Sequence, residues 1–443
     1  MKHKIILLQQ LAFISALLIS PSLSAQRQMQ YYRPNDKTGI RTFETTKNDT
    51  TTFEGFKVKV GGNFSQDFQS LKHENNASVI MDAGVNTNQL ISLTNGFNLA
   101  MANLNIDAQL SDGIRMNLTM YLSARHHEET WVKGGYVQFD KLLFLNSNLI
   151  NKIMESVTIK IGDYDVDYGD QHFCRSDGGN GIYNPFVENY IMDAFATEIG
   201  GEVYFHPKSG FIAMVGVTNG ALNPTVVESS KIDANTGKKN TYGPAFHGKI
   251  GFDKQVNKDF RLRITGSVYT DKSSSGNTLF WGDRTGSHYF YAMENTAATT
   301  DGNAWSGRFN PQFSDQVTSF SINPYLNYKG LELLGTYERV QGRKVTEADN
   351  RTVSQYGADI IYRFPANNLF WIGARYNKVI GSIPGNTEDI AITRLVGSVG
   401  WFVTKNIMMK AEYVNQKYDH YDASNILSAG RFSGFIAEAS IGF

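Results

Sequence analysis

Ile114-Arg-Met-Asn-Leu-Thr-Met-Tyr-Leu-Ser123 sets an apolar side chain at every second position. Ile114, Met116, Leu118, Met120 and Leu122 alternate with Arg115, Asn117, Thr119, Tyr121 and Ser123. Successive side chains of a strand point to opposite faces, so one face of this segment meets an apolar medium and the other meets water. Phe260, Leu262, Ile264 and Val268 repeat the pattern against Arg261, Arg263, Thr265 and Ser267. So do Phe370, Ile372, Ala374 and Tyr376 against Trp371, Gly373, Arg375 and Asn377, and Val157, Ile159 and Ile161 against Thr158 and Lys160.

Along the rest of the chain the same spacing predicts sixteen strands. They fall near 56–69, 97–110, 113–125, 131–139, 156–164, 195–206, 209–218, 245–254, 258–271, 316–328, 330–341, 353–364, 368–379, 390–402, 405–418 and 431–443. Several reach the roughly 9–11 residues that a tilted strand needs to cross a bilayer. The connections alternate in length. Short turns follow even-numbered strands (Ser111-Asp112, Pro207-Lys208, Lys329, Thr404), whereas 70–96, 165–194, 219–244, 272–315 and 419–430 follow odd-numbered ones. This asymmetry, with short periplasmic turns and long external loops, belongs to outer-membrane barrels. An even strand number places both termini in the periplasm. Asp140 to Glu155 breaks the rule, and its apolar spacing predicts a short amphipathic helix at the periplasmic rim. The expected fold is therefore an all-β, antiparallel transmembrane β-barrel of about sixteen strands over 54–443. A soluble sandwich is the rival, but its strands run shorter, and no fixed repeat supports a propeller or solenoid.

Composition agrees. The 443 residues include 28 Phe, 22 Tyr, 5 Trp and 41 Gly, with negative mean hydropathy. Lys+Arg and Asp+Glu both number 42, so nothing points to nucleic acid. Lys2, His3 and Lys4 precede the apolar run Ile5–Ile19, and small residues end at Ala25. Residues 1–25 thus read as a signal peptide cleaved before Gln26. The alternative, an N-terminal anchor, is disfavoured because the run falls short of the roughly 20 residues of a spanning helix. Residues 26–53 are polar and read as a flexible periplasmic leader, a short lumenal plug being the alternative. Phe443 closes the last strand in register with Phe435, Ala437, Ala439 and Ile441, which resembles the terminal signal read by the barrel-assembly machinery.

Three features together resemble porins of the family related to phosphate-selective porins. They are Gly400-Trp-Phe-Val-Thr-Lys-Asn-Ile-Met-Met-Lys-Ala-Glu-Tyr-Val414; the block Ile161-Gly-Asp163, Tyr168-Gly-Asp170, His172 and Arg175-Ser-Asp177; and the strand count. The resemblance implies a passive channel in the outer membrane lipid, often a homotrimer, narrowed by an inward-folded third external loop. Phosphate selectivity in that family rests on lumenal ladders of Arg and Lys, and the balanced charge here departs from them.

On this resemblance the third external loop, 165–194, is the pore-constriction candidate, through Asp165, Asp167, Asp170, His172, Arg175 and Asp177. Opposed charges in a lumen would filter small solutes; the alternative is an exposed polar loop. Strand parity assigns Arg115, Arg125, Lys160, Glu198, Glu202, Arg261, Arg263 and Arg375 to the lumen wall. Asp163 to Asp170 also suggest calcium ligation, although Tyr168 stands where an EF-hand needs glycine. No zinc pattern and no catalytic motif is found, so neither cofactor nor enzyme activity is expected. The expected function is passive diffusion of small hydrophilic solutes or ions, anions among them. The alternative is a non-conducting barrel that docks in a larger assembly, suggested by the aromatic loop 272–315.

Overall fold

A computed structural model describes residues 28–45, 47–98, 101–123, 130–176, 180–283, 285–303, 305–364 and 368–443. Residues 1–27, which include the expected signal peptide, and Arg125 and Asp177 lie outside the described residues. Sixteen strands span the barrel: β1 Lys57–Glu74, β2 Met101–Ser111, β3 Ile114–Ser123, β4 Thr130–Phe139, β5 Val157–Asp165, β6 Thr197–Phe205, β7 Phe211–Thr218, β8 Ala245–Asn257, β9 Phe260–Asp271, β10 Gln316–Tyr328, β11 Leu331–Arg343, β12 Arg351–Arg363, β13 Phe370–Gly381, β14 Ile390–Phe402, β15 Ile407–Asp419 and β16 Arg431–Gly442. Each pairs antiparallel with its sequence neighbour, and β1 closes on β16 from Asn63 opposite Gly442 to Glu74 opposite Arg431. Closure removes the open edges that lipid would leave without hydrogen bonds. The two-residue segment Gly96–Phe97 adds to β1, and a small hairpin, Met81–Asp82 with Val85–Asn86, decorates the first external loop. All sixteen predicted strands are present.

Alternation is visible as burial. Along β15, Ile407, Met409, Ala411 and Tyr413 are exposed while Met408, Lys410, Glu412 and Val414 are buried. The exposed set continues around the wall as Val58, Ile161, Val215, Ile250, Ile264, Leu333, Ile360, Leu395 and Phe435. An apolar outer surface of this extent around a polar interior is stable only in lipid. The molecule is a transmembrane barrel of the outer-membrane kind. Among the described residues no helix is long and apolar enough to cross a membrane.

Phe443 faces outward, 51% exposed, in register with Phe435. Trp401 stacks on Phe370 on the same outer face, 5.8 Å between centroids. Trp371 has the opposite parity and is 2% exposed inside the lumen, where its Nε1–H donates to Pro185 O. Its indole lies over Gly400, where a Cβ would come within 1.9 Å of the ring. Gly400 thus fits its position because only hydrogen leaves room there. The break in the turn rule, 140–156, contains the helix Asn148–Met154, capped by Ser147, with Leu149 and Ile153 exposed.

Candidate functional site: the filled lumen

The lumen is occupied by three segments. The third external loop, 166–196 between β5 and β6, runs across the interior with Val166, Tyr168, Ile182, Phe186, Val187 and Ile191 buried. A buried loop must place its backbone polar groups, and here wall side chains serve. Lys410 donates to Phe186 O at 2.7 Å, and Glu412 accepts from Val187 N–H at 2.7 Å. Asn377 accepts from Ile191 N–H, Gln355 from Met192 N–H, and Arg394 donates to Asn189 O. These partners sit on β12 to β15, the wall opposite the loop's origin.

The second segment corrects the sequence reading. Residues 28–45 and 47–53 do not form a flexible leader; they pack into the short-turn end of the barrel. Phe43 is buried against Phe173 and Tyr325, each at 5.6 Å. Arg41 pairs with Glu332 at 2.7 Å, and Lys47 donates to Asp140 O and Val157 O at 2.9 Å. Tyr31, Tyr32 and Phe43 were the available signal, since a solvated leader gains nothing from aromatic side chains. The third segment, part of 272–315, descends from outside. His288 and Tyr289 are fully buried, His288 bonding Asp67 at 2.5 Å and Tyr289 donating to Glu412 at 2.6 Å.

One charge cluster ties wall, third loop and N-terminal segment together. Arg263 donates in bidentate fashion to Asp170, at 2.8 Å twice, and to both oxygens of Glu44 at 2.7 Å. Lys249 contacts Asp167, reaches Glu44 at 3.1 Å and donates to Gly169 O at 2.9 Å. Burial alone would raise the Asp170 carboxyl, but Arg263 and Lys249 outweigh it and hold it below its ordinary value. His172 stands 3.4 Å from Asp167, and burial lowers its pKa to about 4, so it is neutral at pH 7. Glu44 and Lys249 were missed in the sequence because each needs partners far along the chain, 205 residues apart for this pair.

The remaining candidates are placed as follows. Arg375 is bidentate to Asp359, at 2.7 and 2.8 Å, and donates to Glu188 O. Lys160 pairs with Glu202 at 2.8 Å, and Glu202 also meets His247 at 2.9 Å. Arg115 donates to Gln138, Arg261 is bidentate to Asp253, and Glu198 accepts from Tyr269. Arg175 donates to Asp193 at 2.7 Å and lies over the Phe195 ring. The carboxylates suggested for calcium are divided: Asp167 and Asp170 are bound to Lys249 and Arg263, whereas Asp163 and Asp165 border, with Asp167, a cavity. Among the described residues, the group of metal-ligand type lying close enough to share an ion is Asp67, His288 and Glu438, and Lys410, 3.0 Å from Glu438, already balances it.

That group predicts a pH response. Burial by itself lowers the His288 pKa, but Asp67, with Glu438 and Glu188, outweighs burial and raises it from 6.5 to about 9. A histidine raised on folding stabilises fully below its unfolded pKa, and the contribution disappears as pH rises through the folded one. The loop 272–315 should therefore be held firmly at pH 6 and loosen between pH 6.5 and about 9. Hydrogen exchange of 285–293 at pH 6 and pH 10 measures it; equal protection at both would remove His288 as the anchor, and His288→Gln should abolish the difference.

A cavity of about 250 Å³ lies between these fillings and the wall of β2 to β6. Arg33, Arg115, Lys133 and Lys160 line it opposite Glu44, Asp163, Asp165 and Asp167, with Tyr136, Tyr164 and Tyr204 between. Tyr136 and Lys133 both reach it because Lys133 is the extra residue of a bulge in β4, opposite Thr119 and Met120 of β3, which shifts the parity of the strand. Lys133 is paired with Asp283 of the external loop.

No protein-family model and no curated protein matches the chain. Among solved structures, it is similar to OmpT, an outer membrane protein of Vibrio cholerae, in its trimer form, at 11% identity and a TM-score of 0.49, covering 88% of this chain and 100% of that one. It is also similar to the outer membrane channel DcaP of Acinetobacter baumannii (10%, TM-score 0.48, 88% and 99% covered) and to an anion-selective porin from Comamonas acidovorans (10%, 0.47, 88% and 100%). The fold itself is evident from the closed strand ladder.

Proposed function

We propose that the protein is an outer-membrane porin through which small hydrophilic solutes and ions diffuse passively. The observation that carries this reading is the polar, charge-lined cavity left between the lumenal fillings and the β2 to β6 wall. Such a passage needs no cofactor or energy source. Asp165, Asp167 and His172 border it, so the third loop acts as its constriction. Its described lining holds four cationic side chains and four carboxylates, which supports weak charge selectivity rather than a phosphate or general anion filter. Homotrimer formation and recognition of Phe443 by the assembly machinery belong to the same reading.

Reconstitution of the purified chain into planar bilayers tests it. Small, discrete conductance steps with a cation-to-anion permeability ratio near unity are expected. A folded protein that gives no steps overturns the porin reading. The specific observation favouring the second reading, a docking barrel, is the extent of the filling: the third loop, the N-terminal segment and part of 272–315 all bury side chains in the lumen. Absence of conductance together with stoichiometric copurification of another protein would establish that alternative.

A further inference from the structure

At the external mouth a second cavity, about 470 Å³, opens between the loop 272–315 and the turn after β11. Its size falls in the roughly 300–1,000 Å³ range of sites that hold small organic ligands. Phe280, Trp281, Trp305 and Phe309 form its walls. Two of them are fixed: Trp305 Nε1–H donates to Asp283 O at 3.0 Å, and Phe309 N–H donates to Ile191 O of the third loop at 2.8 Å. Trp281 stands 49% exposed. An indole held open to solvent inside an aromatic cleft is a platform for a flat partner.

The charges decide which partner. Arg308 and Asp193 meet at 3.3 Å, and Arg308 also donates to Glu188 at 2.7 Å, so these groups satisfy one another. Lys344, also in the lining, has no acceptor for its ammonium among the described residues. Among the described residues the cleft thus presents aromatic surface and one cation without an acceptor. We infer that it is a binding site for a small carboxylate carried on an aromatic ring, the ring against Trp281 and the carboxylate on Lys344. The transport consequence rests on the porin reading; the binding does not. Gly282 lines this cleft and its neighbour Asp283 holds Lys133 of the inner cavity.

Benzoate is the probe, with the purified full-length protein in detergent. Isothermal titration should show saturable binding that weakens about tenfold in Trp281→Ala, which removes the stacking surface. It should weaken about tenfold in Lys344→Gln, which removes the charged hydrogen-bond donor. Lys344→Arg should retain it. Benzyl alcohol should bind native protein about tenfold more weakly than benzoate, and Lys344→Gln no more weakly than native, because only the carboxylate uses the cation. Benzoate binding that ignores both substitutions, or glucose binding more tightly than benzoate, overturns the inference. A conducting channel that does not bind benzoate sinks the inference and leaves the porin reading; a silent barrel that binds it does the reverse.

Discussion

Removing residues 28–53 while keeping residues 1–27 is expected to raise single-channel conductance severalfold. A sixteen-stranded barrel is wide enough for an aqueous channel, and here that width is taken up by packing. At the short-turn end the obstruction is the N-terminal segment: Phe43 wedged between Phe173 and Tyr325, Arg41 on Glu332, and Glu44 on Arg263 and Lys249. None of these contacts belongs to the strand ladder, so the barrel closes without them. Arg263, Lys249 and Glu332 would then face water, where their charges are solvated rather than stranded. Bilayer recordings of the shortened chain beside the full one make the comparison. Unchanged step size would mean that the segment lies off the conducting path, and that the cavity bordered by Arg33 and Glu44 is not the passage.

The second large effect is expected from Arg263→Met. The arginine is fully buried and carries four of the hydrogen bonds that fix Asp170 and Glu44. Its loss leaves Asp167, Asp170 and Glu44 around a single cation, Lys249. Removing one partner of a buried charged pair costs about 3–5 kcal/mol, because the remaining charge is uncompensated. Urea unfolding should show that loss, and hydrogen exchange should concentrate it in 166–175 and 40–45. Asp170→Asn added to Arg263→Met should recover part of it, since the pair is coupled. A loss below about 1 kcal/mol, the range of solvated ion pairs, would show that water reaches the cluster and that it does not set the loop's position.

These residues also mark where the sequence was readable. Arg263 was assignable to the lumen because Leu262 and Ile264 flank it, and a strand has only two faces. The same parity assigns Arg115, Lys160, Glu202 and Arg375 to that face. Trp371 follows the same rule: Phe370 and Ile372 face lipid, so Trp371 faces inward, although tryptophan as a residue type suggests the membrane interface. The helix after β4 was legible from its apolar spacing because helical contacts are local.

The barrel was therefore written in the linear chain: strand number, the side on which the termini lie, the outer apolar face and the identity of many lumenal charges. Period-two alternation and turn length are short-range properties, so a single pass along the chain exposes them. What fills that barrel emerged only from the folded molecule. The third loop is held by side chains on β12 to β15, the N-terminal segment by Lys249 and Arg263, and the external loop by Asp67. Each contact joins residues far apart in the chain. The energy of a buried charge depends on which opposite charge lies within a few ångströms, and no local pattern encodes that distance. Balanced composition said that the charges could pair; the folded chain chose the pairs, and with them the shape of the inner cavity.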